Sequence, residues 1–140
     1  MFCSIDTYKR EYGSEKEAWK QLGNDVFDSK DVIIESCGED WRFELLARYL
    51  KDVFTVEFIA REKILLKRCR KRQEKFSLVN QDELNSITYL MSREPEYPMT
   101  PDFSIDTSIL SKDEVYKVVT SEVLRYRCQK GQKEKENGKD

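Results

Sequence analysis

The run Asp31-Val32-Ile33-Ile34-Glu35, followed by Ser36-Cys37-Gly38, decides how this chain folds. Three consecutive β-branched residues lie between charges, with a turn directly behind them. An unbroken apolar run of this length suits a strand buried on both faces, as in a parallel sheet. Two similar segments follow: Phe54-Thr55-Val56-Glu57-Phe58-Ile59, rich in β-branched and aromatic residues, and Phe103-Ser104-Ile105, ending at Asp106-Thr107-Ser108. A shorter one, Phe2-Cys3-Ser4-Ile5, opens the chain and ends at Asp6, followed by a polar run from Thr7 to Gly13.

Helical patterns separate these strands. Ser14 and Glu17 have capping-box spacing and predict a helix that turns Ala18, Trp19 and Leu22 inward and weakens at Gly23-Asn24. Phe43, Leu46, Ala47 and Leu50 form one apolar stripe. A basic helix is expected from Arg61 to about Lys75. Another, capped by Asn80 with Glu83, carries Leu84, Ile87 and Met91. Pro95, Pro98 and Pro101 mark a loop. Ser111 and Glu114 cap the last helix, which is expected to bury Val115, Val118, Val119, Val123 and Tyr126. Residues 128–140 read as a charged, disordered tail, leaving 1–127 as one domain.

Alternating strands and helices predict an α/β domain of three layers, with a mostly parallel sheet of about four strands. Ligands of such sheets sit beyond the carboxyl ends of the strands. Function is therefore sought at Asp6 to Arg10, Glu35 to Gly38, Arg61 onward, and Asp106 to Ser108.

Composition narrows the chemistry. The 140 residues include 25 basic and 27 acidic ones, a net charge of -2, which argues against a nucleic-acid binder read from the whole chain. The chain has no histidine, so Ser-His and Cys-His nucleophiles are excluded. The cysteines, Cys3, Cys37, Cys69 and Cys128, form no CxxC pair and read as reduced thiols of a cytoplasmic protein. No stretch approaches the roughly 18 apolar residues of a membrane span. Between Arg61 and Lys75 lie eight Lys or Arg against two Glu, a local charge of +6. This helix has no interleaved aromatics, which argues against a local nucleic-acid patch.

In order along the chain, Ser4-Ile5-Asp6-Thr7-Tyr8-Lys9-Arg10, Val32 to Gly38, Val56 to Ala60 with Leu66 to Arg72, and Phe103 to Ser108 with Ser111 and Glu114 resemble the second strand, third strand, fourth strand with lid helix, and last strand of small P-loop kinases. The resemblance spans residues 1 to about 127. It implies ATP-dependent phosphoryl transfer to a small metabolite or nucleoside, with ATP and Mg2+ as cofactors. Arg68 and Arg72, in the family's Arg-x-x-x-Arg positions, would clamp phosphates. Asp6 would orient or deprotonate the acceptor hydroxyl, and Arg10, Arg42 and Gly38 would line its site. Glu35 would assist magnesium, and Asp106 and Thr107 would lie near the nucleotide base. Each has a plainer reading as well: Asp6 as a cap, Glu35 as a strand-end charge, Gly38 as a turn glycine, the arginines as a solvated face, Asp106-Thr107-Ser108 as a turn.

The chain departs from the family in one decisive respect. None of its glycines (Gly13, Gly23, Gly38, Gly131, Gly138) belongs to a GxxxxGK[ST] loop. The first βα unit, roughly 30 residues, is not found, and with it go the amide cradle and lysine that hold the transferring phosphate. In the resemblance that unit's strand lies between the third and fourth. Either the chain is a piece of a longer protein, or its sheet is rewired, or a partner supplies the strand. As written, the chain is expected to be a weak or inactive phosphotransferase; the alternative is a non-catalytic anion-binding or protein-interaction module.

Overall fold

The computed structural model describes residues 1–36, 46, 48, 50, 52–75, 85, 89 and 100–138. Described residues up to Val53 form one compact unit, and those from Phe54 onward form a second. The expectation of one four-stranded sheet is corrected. Among the described residues the strands make two separate two-stranded parallel sheets, one in each unit. The architecture is mixed α/β.

In the first unit, β1 (Phe2–Ser4) pairs with β2 (Ile33–Glu35), Phe2 opposite Ile33 and Ser4 opposite Glu35. Two helices lie between them in sequence, α1 (Ile5–Tyr12) and α2 (Glu15–Phe27). The polar run expected after β1 is therefore helical. Sequence reasoning misses α1 because Ser4 makes no side-chain cap and the helix buries only Ile5. One signal was present: Gly13 ends α1 at φ +70°, donating its N–H to the Lys9 carbonyl, a conformation glycine adopts at no steric cost. Helix α2 begins as expected, with the Glu17 N–H donated to Ser14 Oγ at 3.2 Å. It runs through Gly23-Asn24 without interruption to Phe27. Gly23 costs a little helix propensity, which the packing of Ala18, Trp19, Leu22 and Val26 offsets.

Those four side chains, with Cys3 and Ile5, are the buried core of this unit, and Tyr8, Val32, Ile34, Leu46 and Leu50 pack against it. The core covers one face of the ribbon. On the other face Phe2 and Ile33 stay 65% and 66% exposed. The continuous run Val32-Ile33-Ile34 is thus not buried on both faces.

In the second unit, β3 (Val56–Ile59) pairs with β4 (Phe103–Asp106), Val56 opposite Phe103 and Ile59 opposite Asp106. Side chains and backbone tie the pair at its start. Asp102 Oδ2 accepts from the Thr55 N–H at 2.7 Å and from Thr55 Oγ1 at 2.8 Å, while the Asp102 N–H is donated to the Thr55 carbonyl. Helix α3 (Glu62–Lys75) matches the expected basic helix and buries Cys69 and Gln73. The last helix, α4 (Lys112–Asn137), starts with a capping box between Ser111 and Glu114. It extends to Asn137, where a disordered tail from Cys128 was expected; Lys, Glu and Gln support helix by propensity and local hydrogen bonds even where nothing is buried. Its apolar residues are less covered than expected: none is buried, Val118 is exposed, and Tyr126 packs against Phe54 in a tilted arrangement with ring centroids 4.8 Å apart.

The stripe around Phe43, the helix from Asn80 and the loop at Pro95 and Pro98 lie outside the described residues, save for Leu46, Arg48, Leu50, Asn85 and Tyr89. Among the described residues no helix is long and apolar enough to cross a membrane. Cys3, Cys69 and Cys128 are free thiols; Cys37 lies outside the described residues.

Candidate functional site

Among the described residues of the second unit, the carboxyl ends of β3 and β4 carry a cluster of polar contacts. Past β4 the chain turns at Asp106-Thr107-Ser108. The Thr107 N–H extends the ladder to the Ile59 carbonyl at 2.8 Å, and Thr107 Oγ1 donates to the same carbonyl at 3.2 Å. Asp106 Oδ1 accepts from the Ser108 N–H at 2.8 Å, closing an Asx turn. Ser108 Oγ in turn accepts the Arg61 N–H at 2.9 Å, fixing the entry to α3. These contacts join the end of one strand to the start of the helix that follows the other.

Onto this turn Arg68 reaches from the second turn of α3. Its Nη1 donates to Thr107 Oγ1 at 2.8 Å, and its Nη2 donates to the Thr107 carbonyl. A guanidinium has five donors in a fixed fork, and two are engaged here. The Asp106 carboxyl is held below its usual range, first by the Ser108 hydroxyl and backbone N–H, then by the charges of Arg61 and Arg68. The site thus contains two arginines, a stable carboxylate and two hydroxyls at the edge where parallel sheets bind ligands.

Of the expected site residues, the structure brings together Arg68, Asp106 and Thr107, and adds Arg61 and Ser108. Arg72 is exposed one turn further along α3, with its Nη2 at 4.0 Å from Cys69 Sγ. Ser108 belonged to a stretch the sequence marked; Arg61 was legible only as the first residue of the basic run.

Asp6, Arg10 and Glu35 belong to the first unit. Asp6 is an exposed first-turn residue of α1, not a strand-end residue, because the helix starts directly at Ile5. Arg10 donates to Thr7 Oγ1 at 3.3 Å. Glu35 is exposed, opposite Ser4 at the end of the ribbon. Gly38 and Arg42 lie outside the described residues. Among the described residues no group of three or more Cys, Asp or Glu side chains is placed to hold a metal ion.

One polar network escaped the sequence reading. Tyr8 donates its hydroxyl to Asp25 Oδ2 at 2.8 Å, with Cys3 Sγ 3.7 Å away, and Gln21 Nε2 donates to Asp25 Oδ1 at 2.7 Å. Burial, then the hydrogen bonds to Asp25 and Cys3, raises the Tyr8 phenol far above its ordinary range. The network pins α1 to α2.

Comparison of the chain with protein-family models, with curated proteins and with solved structures returned no match.

Proposed function

We propose that this chain is a kinase-like protein that binds a phosphorylated small molecule at the carboxyl ends of β3 and β4, without efficient phosphoryl transfer. One observation carries the reading: Arg68, from a helix of charge +5, is docked on Thr107 beside Asp106 and near Arg61. Arginine forks match phosphate geometry, and an arginine already ordered loses less freedom when it binds. Transfer is a different matter. It requires an amide cradle, a lysine and a metal aligned on the reacting phosphate. The sequence holds no GxxxxGK[ST] loop to supply them.

The test is titration calorimetry of the chain with pyrophosphate, ADP and Mg-ATP, beside the Arg68→Ala variant. The expected result is binding of phosphate compounds that the variant loses, with no ATP turnover. Absence of binding by any of the three overturns the reading. Rapid ATP turnover would replace a binding module with an enzyme.

A further inference from the structure

Besides Arg68, α3 carries a second cationic feature. Lys63, Lys67, Lys71 and Lys75 are spaced four residues apart and all are exposed. At 1.5 Å rise per residue they stand about 6 Å apart along the axis, about 18 Å end to end. Arg70 is exposed beside them. Cys69 and Gln73 mark the opposite, buried side. The helix's two acids, Glu62 and Glu74, lie at its ends. Among the described residues Lys63, Lys67, Arg70 and Lys71 take part in no ion pair. Outside α3 the chain carries 18 basic residues against 25 acidic ones, so the cations are segregated on this helix.

We infer that this lysine row is a binding track for single-stranded nucleic acid, gripping the phosphate backbone without reading bases. Whole-chain charge and the lack of interleaved aromatics argued against such a partner; the segregated row, in which Lys63, Lys67 and Lys71 make no ion pair among the described residues, offers this one surface phosphate contacts that depend on neither. Its repeat is on the scale of successive phosphates along a strand. A row of i, i+4 residues winds around its helix, by about 120° over these four. A flexible single strand follows such a path and a stiff duplex does not. The absence of aromatics removes stacking, so recognition is electrostatic and independent of sequence. A membrane surface fits less well, because the helix has its less polar side turned inward and offers nothing to insert. A protein partner would need an apolar centre that the row lacks.

The experiment measures binding of the full chain to a labelled single-stranded RNA of about 20 nucleotides by fluorescence anisotropy, across about 50 to 200 mM salt. A variant with Lys63→Gln, Lys67→Gln and Lys71→Gln should bind about tenfold or more weakly at the lowest salt. It should also lose about 2 from the slope of log K against log salt, at about 0.7 per lysine. The Lys→Arg version at the same positions should keep both. Far-ultraviolet circular dichroism verifies that the variants fold, which substitutions at exposed positions should not disturb. No binding by the wild-type chain at the lowest salt overturns the inference, as does an unchanged slope in the glutamine variant. Lysine-dependent binding of polyglutamate or phosphatidylserine vesicles that is tighter than RNA binding overturns it too.

Discussion

Arg68 and Thr107, 39 residues apart in sequence, are joined by two hydrogen bonds from one guanidinium, to the threonine hydroxyl and to its backbone carbonyl. This contact ties α3 to the end of β4 and holds the arginine at the rim of the parallel pair.

Arg68→Ala should therefore have two effects. Loss of the hydrogen bonds at this exposed position should lower stability by about 1 kcal/mol, read from the urea midpoint. Pyrophosphate affinity should fall by about tenfold or more, as expected for losing a charge-assisted contact. Arg68→Lys keeps the charge but not the fork, and should recover only part of the affinity.

Asp106 makes a pH prediction. Its folded carboxyl titrates below the usual range, so its contribution to stability is present above the ordinary aspartate pKa. That contribution is lost as pH falls through the folded value. Urea midpoints should decline from about pH 4 downward in the wild type, and less steeply in Asp106→Asn. The asparagine can still accept from Ser108. Because it removes a negative charge beside Arg61 and Arg68, it should tighten pyrophosphate binding severalfold, measured by calorimetry.

Tyr8 runs the opposite way. Its raised phenol stabilises the fold below the ordinary tyrosine range and ceases to do so as pH climbs toward the folded value. In an alkaline ultraviolet titration of the seven tyrosines, the latest phenolate component should vanish in Tyr8→Phe. Alkaline loss of stability should be shallower in that variant. An unchanged titration curve would show that the hydrogen bond to Asp25 is not maintained in solution.

The core and the caps of the first unit differ in weight. Leu22 is fully buried, and Leu22→Ala should cost about 2–5 kcal/mol, enough to threaten this unit by itself. Ser14→Ala removes an N-cap and should cost about 1 kcal/mol. Ser4→Ala at the start of α1, where no side-chain cap exists, should cost less than Ser14→Ala. Thermal melts of the three variants should rank in that order.

By itself the sequence determined what depends on neighbouring residues. The Ser14-Glu17 and Ser111-Glu114 spacings located two helix starts, because a cap is made within one turn. The alternation of strand and helix indicated parallel pairing, and the basic stretch located α3 to within one residue. Tertiary structure decided which strands meet. Register is a contact between distant segments, and it yielded two ribbons where the alternation of strand and helix suggested one sheet. It also decided the fate of the polar segments: Ile5–Tyr12 is helical because Ile5 and Tyr8 find a core and Asp25 a phenol, which no local pattern records. In the candidate site, the arginines and the Asp106 turn were each visible in the chain. That Arg68 belongs to Thr107 follows from how α3 meets the end of β4.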